Sequence, residues 1–320
     1  MHALLSAFAP IWTLTAVGYA TGRGRLLGEQ AEAVLGRLVF HVAMPAALFM
    51  MVSRADLRSF VNPSLLAFGA GSVLVSVVGL LVVRRFFGRK RADGAIGSMA
   101  SGYVNSANLG VPVAVQVLGD ASFVAQVILF QVLVMSPVIL TLLDTGTDRG
   151  RPHRWVGLRR TLTMPVRNPV ILASLLGVAV SAAGLRLPAA LGRTCDLLGA
   201  AAVPTALIAL GLSLHRSPDP DGTVSAPGSR AELGAVVALK TLVHPAVVYA
   251  VGGPLLMDLP GHQLLAVVLC SALPTAQNAF LYAREYGLDT TLARDSVVAS
   301  TVVSLVTLSV AAWALGPSPG

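Results

Sequence analysis

Two stretches of this sequence set side-chain amides beside prolines within otherwise apolar surroundings. They are SGYVNSANLGVPVAVQVLGD, from Ser101 to Asp120, and CSALPTAQNAFLYAREYG, from Cys270 to Gly287. In hydrocarbon an unpaired backbone group costs several kcal/mol, roughly, so an interrupted membrane span persists where protein or a wet cavity receives its freed groups. Proline suits the first turn of a helix, where its missing N–H leaves nothing unpaired. Pro112 and Pro274 are therefore each expected to open a new half-helix. A helix start carries about half a positive charge and free N–H donors. Two such starts, joined by Asn105, Asn108, Gln277 and Asn278, would hold an anion without any cationic side chain. The competing reading is that the prolines kink packed helices and the amides bridge them. Two clusters in matching positions favour a binding site over that reading.

Lys240, in ALKTLVHPAVVY, falls well inside another apolar run. A lysine there either belongs to the substrate site or runs its stem along the helix to the interface. His41 and His244 read as satisfied interior histidines, and Arg37 as a snorkelling residue. The acidic residues gather near span ends, with Asp295 slightly deeper, so no buried acidic proton relay is visible. Cys195 and Cys270 read as packing residues, and no metal-ligand spacing occurs. The sequence contains no G-x-S-x-G elbow, H-E-x-x-H motif or phosphate-binding loop, which argues against an enzyme. No cofactor is expected; sodium or proton coupling is left open.

The elements that must carry these residues follow from composition. Of 320 residues, 55% are hydrophobic and 12% charged, and mean hydropathy is +0.75, outside the range of soluble domains. The apolar residues come in runs of about 20, the length of a membrane-crossing helix. Ten spans are predicted, at about 3–21, 31–52, 63–83, the broken fourth, 121–143, 167–184, 194–214, 232–256, 261–284 and 291–315. The first is read as a retained span and not a signal peptide. A net charge of +8 would suggest nucleic acid in a soluble protein, but here the basic residues sit in short loops. Loops after odd-numbered spans hold about 17 basic residues against about four on the other face, which places both termini outside. HRSPDPDGTVSAPGSR, from His215 to Arg230, reads as a flexible surface loop.

The halves repeat in outline. AMPAALF, from Ala43, resembles AVPTALI, from Ala202, and each of these prolines lies about 70 residues before that of a broken span. Five spans per half make the second copy enter from the opposite side. The predicted division is residues 1–143, a cytoplasmic loop at 144–166, and an inverted repeat at 167–320.

MPAALF, NSANLGVP, RNP (Arg167 to Pro169), VPTALIALGLSL, KTLVHP and LPTAQNAFLYAREYG, in this order and spacing, resemble the auxin efflux carrier family. That family includes plant PIN carriers and bacterial malonate-type transporters. The resemblance implies an all-α integral membrane protein of ten helices in two inverted five-helix repeats, a fold shared with bile acid sodium symporters. It places the substrate between a scaffold and a transport domain, where the broken spans four and nine cross. It implies organic anions, such as a carboxylate, as substrates. The plant carriers have a much longer central loop, so regulation through that loop is not carried over. The expected function is a secondary transporter of small organic anions in a plasma membrane. The alternatives are a sodium-coupled bile-acid-type symporter and a membrane sensor that binds without transporting. The expected partners are the anion and the lipid bilayer, with no nucleic acid; a homodimer is compatible with this reading.

Overall fold

A computed structural model describes residues 2–28, 30–54, 62–120, 122–147, 169–185, 187–215, 227–253 and 255–316, with the backbone alone for 2–8, 11, 111, 112, 115, 116 and 227–229. Most of the expected central loop, Arg167 and Asn168 of the RNP motif, and most of the 215–230 loop lie outside the described residues.

Among the described residues the regular structure is helical apart from one isolated β-bridge. The helices are α1 (His2–Arg23), α2 (Ala31–Ser53), α3 (Pro63–Phe86), α4 (Arg91–Gly102), α5 (106–118) and α6 (Ser122–Gly146), followed by α7 (Pro169–Ala182), α8 (Ala189–His215), α9 (227–252), α10 (Gly261–Ala272), α11 (Asn278–Glu285) and α12 (Thr291–Leu315). By length and hydropathy six described helices are able to cross a membrane: α2, α3, α6, α8, α9 and α12; α7 and α10 are shorter and apolar. This is an all-helical, multi-pass membrane protein. Exposed Leu66, Leu74, Leu81, Val306 and Trp313 on α3 and α12 suit a hydrocarbon surround better than water.

Local sequence explains several boundaries. Asn62 accepts a hydrogen bond from the Leu65 N–H at 2.9 Å and is followed by Pro63, so α3 starts with a side-chain cap and a proline at its first position. Gly119, in the left-handed region at φ 72°, ends α5.

Four interior prolines have a shared solution. Pro45, Pro112, Pro137 and Pro245 each stand two residues past a π-turn, at Val39–Ala43, Ser106–Gly110, Gln131–Met135 and Leu239–Val243. Proline cannot donate to the carbonyl four residues back, and its ring collides with it. In the α2, α6 and α9 turns the residue just before the proline donates five residues back: Met44 to Val39, Ser136 to Gln131 and His244 to Leu239. The extra residue widens the turn where the ring needs room.

The helices sort into two bundles. In the first, α1 packs along α8, α7 along α2, and α2 against α8. In the second, α3 packs on α4, α9 and α10, α10 on α9 and α12, and α4 on α6. The seam between them is thinner, with α1 meeting α5 and α2 meeting α11. The two interrupted stretches lie in the second bundle, on the side that touches the first.

Candidate functional site

The α4–α5 and α10–α11 breaks meet backbone to backbone. Val104 and Thr275 form an antiparallel bridge, Asn105 N–H donates to the Pro274 carbonyl at 2.8 Å, and Ala276 N–H donates to the Tyr103 carbonyl at 3.3 Å. Each unwound segment thus satisfies groups that the other frees, which is what a break inside hydrocarbon requires. Neighbouring helices finish the task. Ser300 Oγ on α12 accepts from Thr275 N–H at 3.0 Å, while Thr275 Oγ1 donates to the Ala100 carbonyl at 2.7 Å. On α6, Gln131 Nε2 donates to the Val104 carbonyl at 3.0 Å and its Oε1 accepts from Ser106 Oγ at 2.5 Å.

The half-helices do not begin where the prolines were expected to put them. Gly110 already has helical angles (φ −59°, ψ −48°), so α5 starts at Ser106 and Pro112 lies inside it, after the π-turn. Pro274 lies in the extended crossing, upstream of α11, which starts at Asn278. The free donors shift accordingly. Ala107, Asn108, Gln277 and Asn278 have backbone N–H groups without an acceptor among the described residues.

The side-chain amides collect around these starts. Asn108 Nδ2 donates to Gln277 Oε1 at 2.6 Å, joining the two breaks, and Asn108 Oδ1 is buried without a partner. Asn105 is buried and its side chain has no hydrogen-bond partner among the described residues. Asn278 is the first residue of α11, and the Tyr103 hydroxyl, at the other break, lies 2.9 Å from Ser136 Oγ. Ala107 is exposed, and Asn108 and Asn278 are half-buried, so this surface of the crossing is open.

Lys240 is not brought to the amides. Its ammonium, with no exposed surface, donates to the Ser271 carbonyl at 2.7 Å and lies 3.0 Å from His244 Nδ1. It does not reach the interface along its helix; it caps the C-terminal end of α10, where unpaired carbonyls and the negative end of the helix dipole favour a cation. His244 Nε2 lies 3.0 Å from Ser72 Oγ on α3.

A cavity of about 480 Å³, lined by Met50, Arg54, Val180, Leu187, Arg193 and Asp196, belongs to α2, α7, α8 and the α7–α8 connection and is separate from the crossing. No group of three or more potential metal ligands occurs among the described residues.

Tyr103, Thr275, Gln131 and Ser300 were not singled out from sequence. Gln131 alone left a trace there, as an amide in the middle of an apolar run.

A family model described as membrane transport protein matches residues 3–153 and 144–312. The chain belongs to this family, that of the auxin efflux carriers. Relatives of this auxin efflux carrier family member span nearly its whole length. A Rhizobium meliloti (strain 1021) protein named "Putative malonate transporter" is 26% identical, covering 94% of this chain and 92% of its own. An uncharacterized transporter of Methanothermobacter thermautotrophicus is 28% identical over 93% and 94%. Auxin efflux carrier component 8 of Arabidopsis thaliana is 21% identical over 96% of each. These relatives are named as transporters, in keeping with the absence of enzyme motifs from the sequence.

Proposed function

We propose that this family member is a secondary carrier that moves small organic anions across the plasma membrane by alternating access. The observation that carries the reading is the antiparallel crossing of two interrupted helices, whose starts have unpaired N–H groups beside the hydrogen-bonded amides of Asn108 and Gln277. Helix starts attract anions, and discontinuous helices meeting near mid-membrane form the substrate sites of several transporter folds. The names of the relatives, malonate and auxin carriers, support a carboxylate as the ligand.

In this reading the ligand binds beside Asn108, whose Oδ1 is buried without a partner. Turning both amides over preserves the Asn108–Gln277 bond and points Asn108 Nδ2 into the position that Oδ1 now occupies. That nitrogen then donates to a carboxylate together with the N–H groups of Asn108 and Asn278. Lys240 acts behind this site: when it is protonated, its charge at the end of α10 adds attraction for an anion without touching it.

In this reading the architecture is ten spans in two inverted five-helix repeats, residues 1–143 and 167–320, with both termini extracytoplasmic. Packing supports it, because α1 on α8 and α7 on α2 are equivalent pairs under such a repeat, and the four helices form the bundle against which the crossing moves.

The test is counterflow of labelled malonate in proteoliposomes, with and without sodium. Saturable counterflow that is indifferent to sodium is expected. Binding without counterflow would make the protein a sensor, and counterflow that requires sodium would make it a symporter.

A further inference from the structure

Lys240 and His244 stand one turn apart on α9, neither has exposed surface, and their facing nitrogens are 3.0 Å apart. Both are donors in their charged forms, so a bond between them requires a lone pair on one. With Lys240 charged, His244 is neutral at Nδ1 and keeps its hydrogen on Nε2, facing Ser72 Oγ. Lys240 also donates to Ser271, in the last turn of α10.

Among the described residues no counter-ion neutralises this pair. It is packed among α3, α4, α10 and α12. The charged and titratable side chains of α3 are Arg84 and Arg85, in its last turn, and those of α4 are Arg91 and Asp93, at its start. On α12 they are Arg294 and Asp295, which pair with each other at 2.7 Å. On α10 they are His262, near its start, and the buried Cys270 thiol; on α9 itself, Arg230, Glu232 and Tyr249 lie toward the ends. None of these forms a hydrogen bond or ion pair with Lys240 or His244 among the described residues. The pair therefore carries one positive charge or none, and nearby carboxylates do not fix which.

We propose that Lys240 and His244 together form a binding site for one exchangeable proton, whose presence fixes the end of α10 beside the crossing. When the proton is bound, a charge-assisted hydrogen bond holds the Ser271 carbonyl; when it leaves, that bond becomes a weaker neutral one. Pro274, whose carbonyl accepts from Asn105, follows three residues later. The proton thus acts on the crossing through the backbone, and the inference stands whether or not the substrate is an anion.

The experiment is solid-state NMR of the full chain in lipid bilayers, with ¹⁵N-labelled lysine and histidine, as pH is varied from about 5 to about 10. The chain has six histidines, and His244→Gln assigns the relevant imidazole. The Lys240 Nζ and His244 Nδ1 resonances are expected to shift together in one step. In Lys240→Met the histidine should lose that step; if this variant does not fold, co-titration in the unaltered protein decides. Two independent steps, or no change in either resonance across the range, would overturn the proposal.

Discussion

Arg284 of α11 pairs with Glu32 of α2, so a largely buried ion pair joins the half-helix that follows the crossing to the other bundle. His41 and Glu285 add a contact at 3.6 Å, and Arg294 reaches the Ser213 carbonyl of α8 at 3.1 Å. All three contacts cross between the bundles, and Glu32, Ser213 and Arg294 stand at helix ends that adjoin the basic loops, so they fasten the two bundles together on that side. Removing one partner of a buried pair leaves an uncompensated charge, a loss of up to about 3–5 kcal/mol. Glu32→Gln is therefore expected to open the seam. A cysteine at Ala107 should then be labelled faster by a thiol reagent added from that side, and a Glu32→Arg, Arg284→Glu exchange should restore protection. Equal labelling in all three proteins would show that the pair does not hold the bundles.

Asn108→Ala and Asn278→Ala are each expected to weaken malonate binding about ten- to hundredfold, the value of about 1.5–3 kcal/mol for a hydrogen bond to a charged group. Calorimetry on purified protein measures this directly. Near-normal affinity in the double variant would move the site elsewhere.

Asn62→Ala should leave binding unchanged yet lower stability. Its side chain caps α3 and donates to Gln126 Oε1 at 2.7 Å, and losing such a cap costs about 1 kcal/mol. The midpoint of thermal unfolding in detergent reports the loss.

Gln131→Leu removes both bonds that the amide makes to the first break and orphans the Val104 carbonyl. A loss of about 1–3 kcal/mol of stability is expected, with weaker binding, because the break positions the N–H groups of Ala107 and Asn108. Gln131→Glu, which keeps an acceptor for Ser106 but not the donor, should recover little.

Arg89, in the basic loop after α3, makes a bidentate bond to Glu232, with the shorter contact at 2.7 Å, and approaches Asp289 at 4.0 Å. The side-chain hydrogen bonds to Glu232 raise the guanidinium pKa above its ordinary value. A group with a raised folded pKa contributes its full stabilisation below the unfolded value and loses it only as pH climbs through the folded one. Arg89→Gln should therefore lower the unfolding midpoint equally at about pH 6 and about pH 9, where arginine stays charged. Cysteines near Arg89 should be shielded from impermeant reagents in whole cells, and one near Asp258 labelled; the reverse pattern would invert the orientation.

Apolar runs and interrupted motifs announce a helical membrane protein with two breaks, because hydrocarbon constrains composition so tightly. The location of the half-helix starts was not legible. Proline fixes its own φ, but whether it opens a helix, sits beyond a π-turn or lies in an extended segment depends on which neighbour pairs with the freed backbone groups. For Pro274 that neighbour is Asn105, which lies far away in sequence. Lys240 was recognisable as an intramembrane charge, and His244 stands one turn away in the same motif, yet its second partner is the Ser271 carbonyl, and backbone carries no sequence signal. Thr275 and Ser300 look like the ordinary small polar residues of any packed span; only the crossing gives them their roles.

The bridge between Val104 and Thr275 also sets an order of manufacture. Asn105 N–H and the Tyr103 carbonyl acquire their partners only after about 170 further residues have been made, roughly ten to thirty seconds of synthesis at common rates. Until then the first break sits in the bilayer with open valences, so the amino-terminal half inserts but cannot finish folding. A chain stopped after α6 should be short-lived in the cell, and supplying the second half as a separate polypeptide should rescue it, each half serving as the other's folding template.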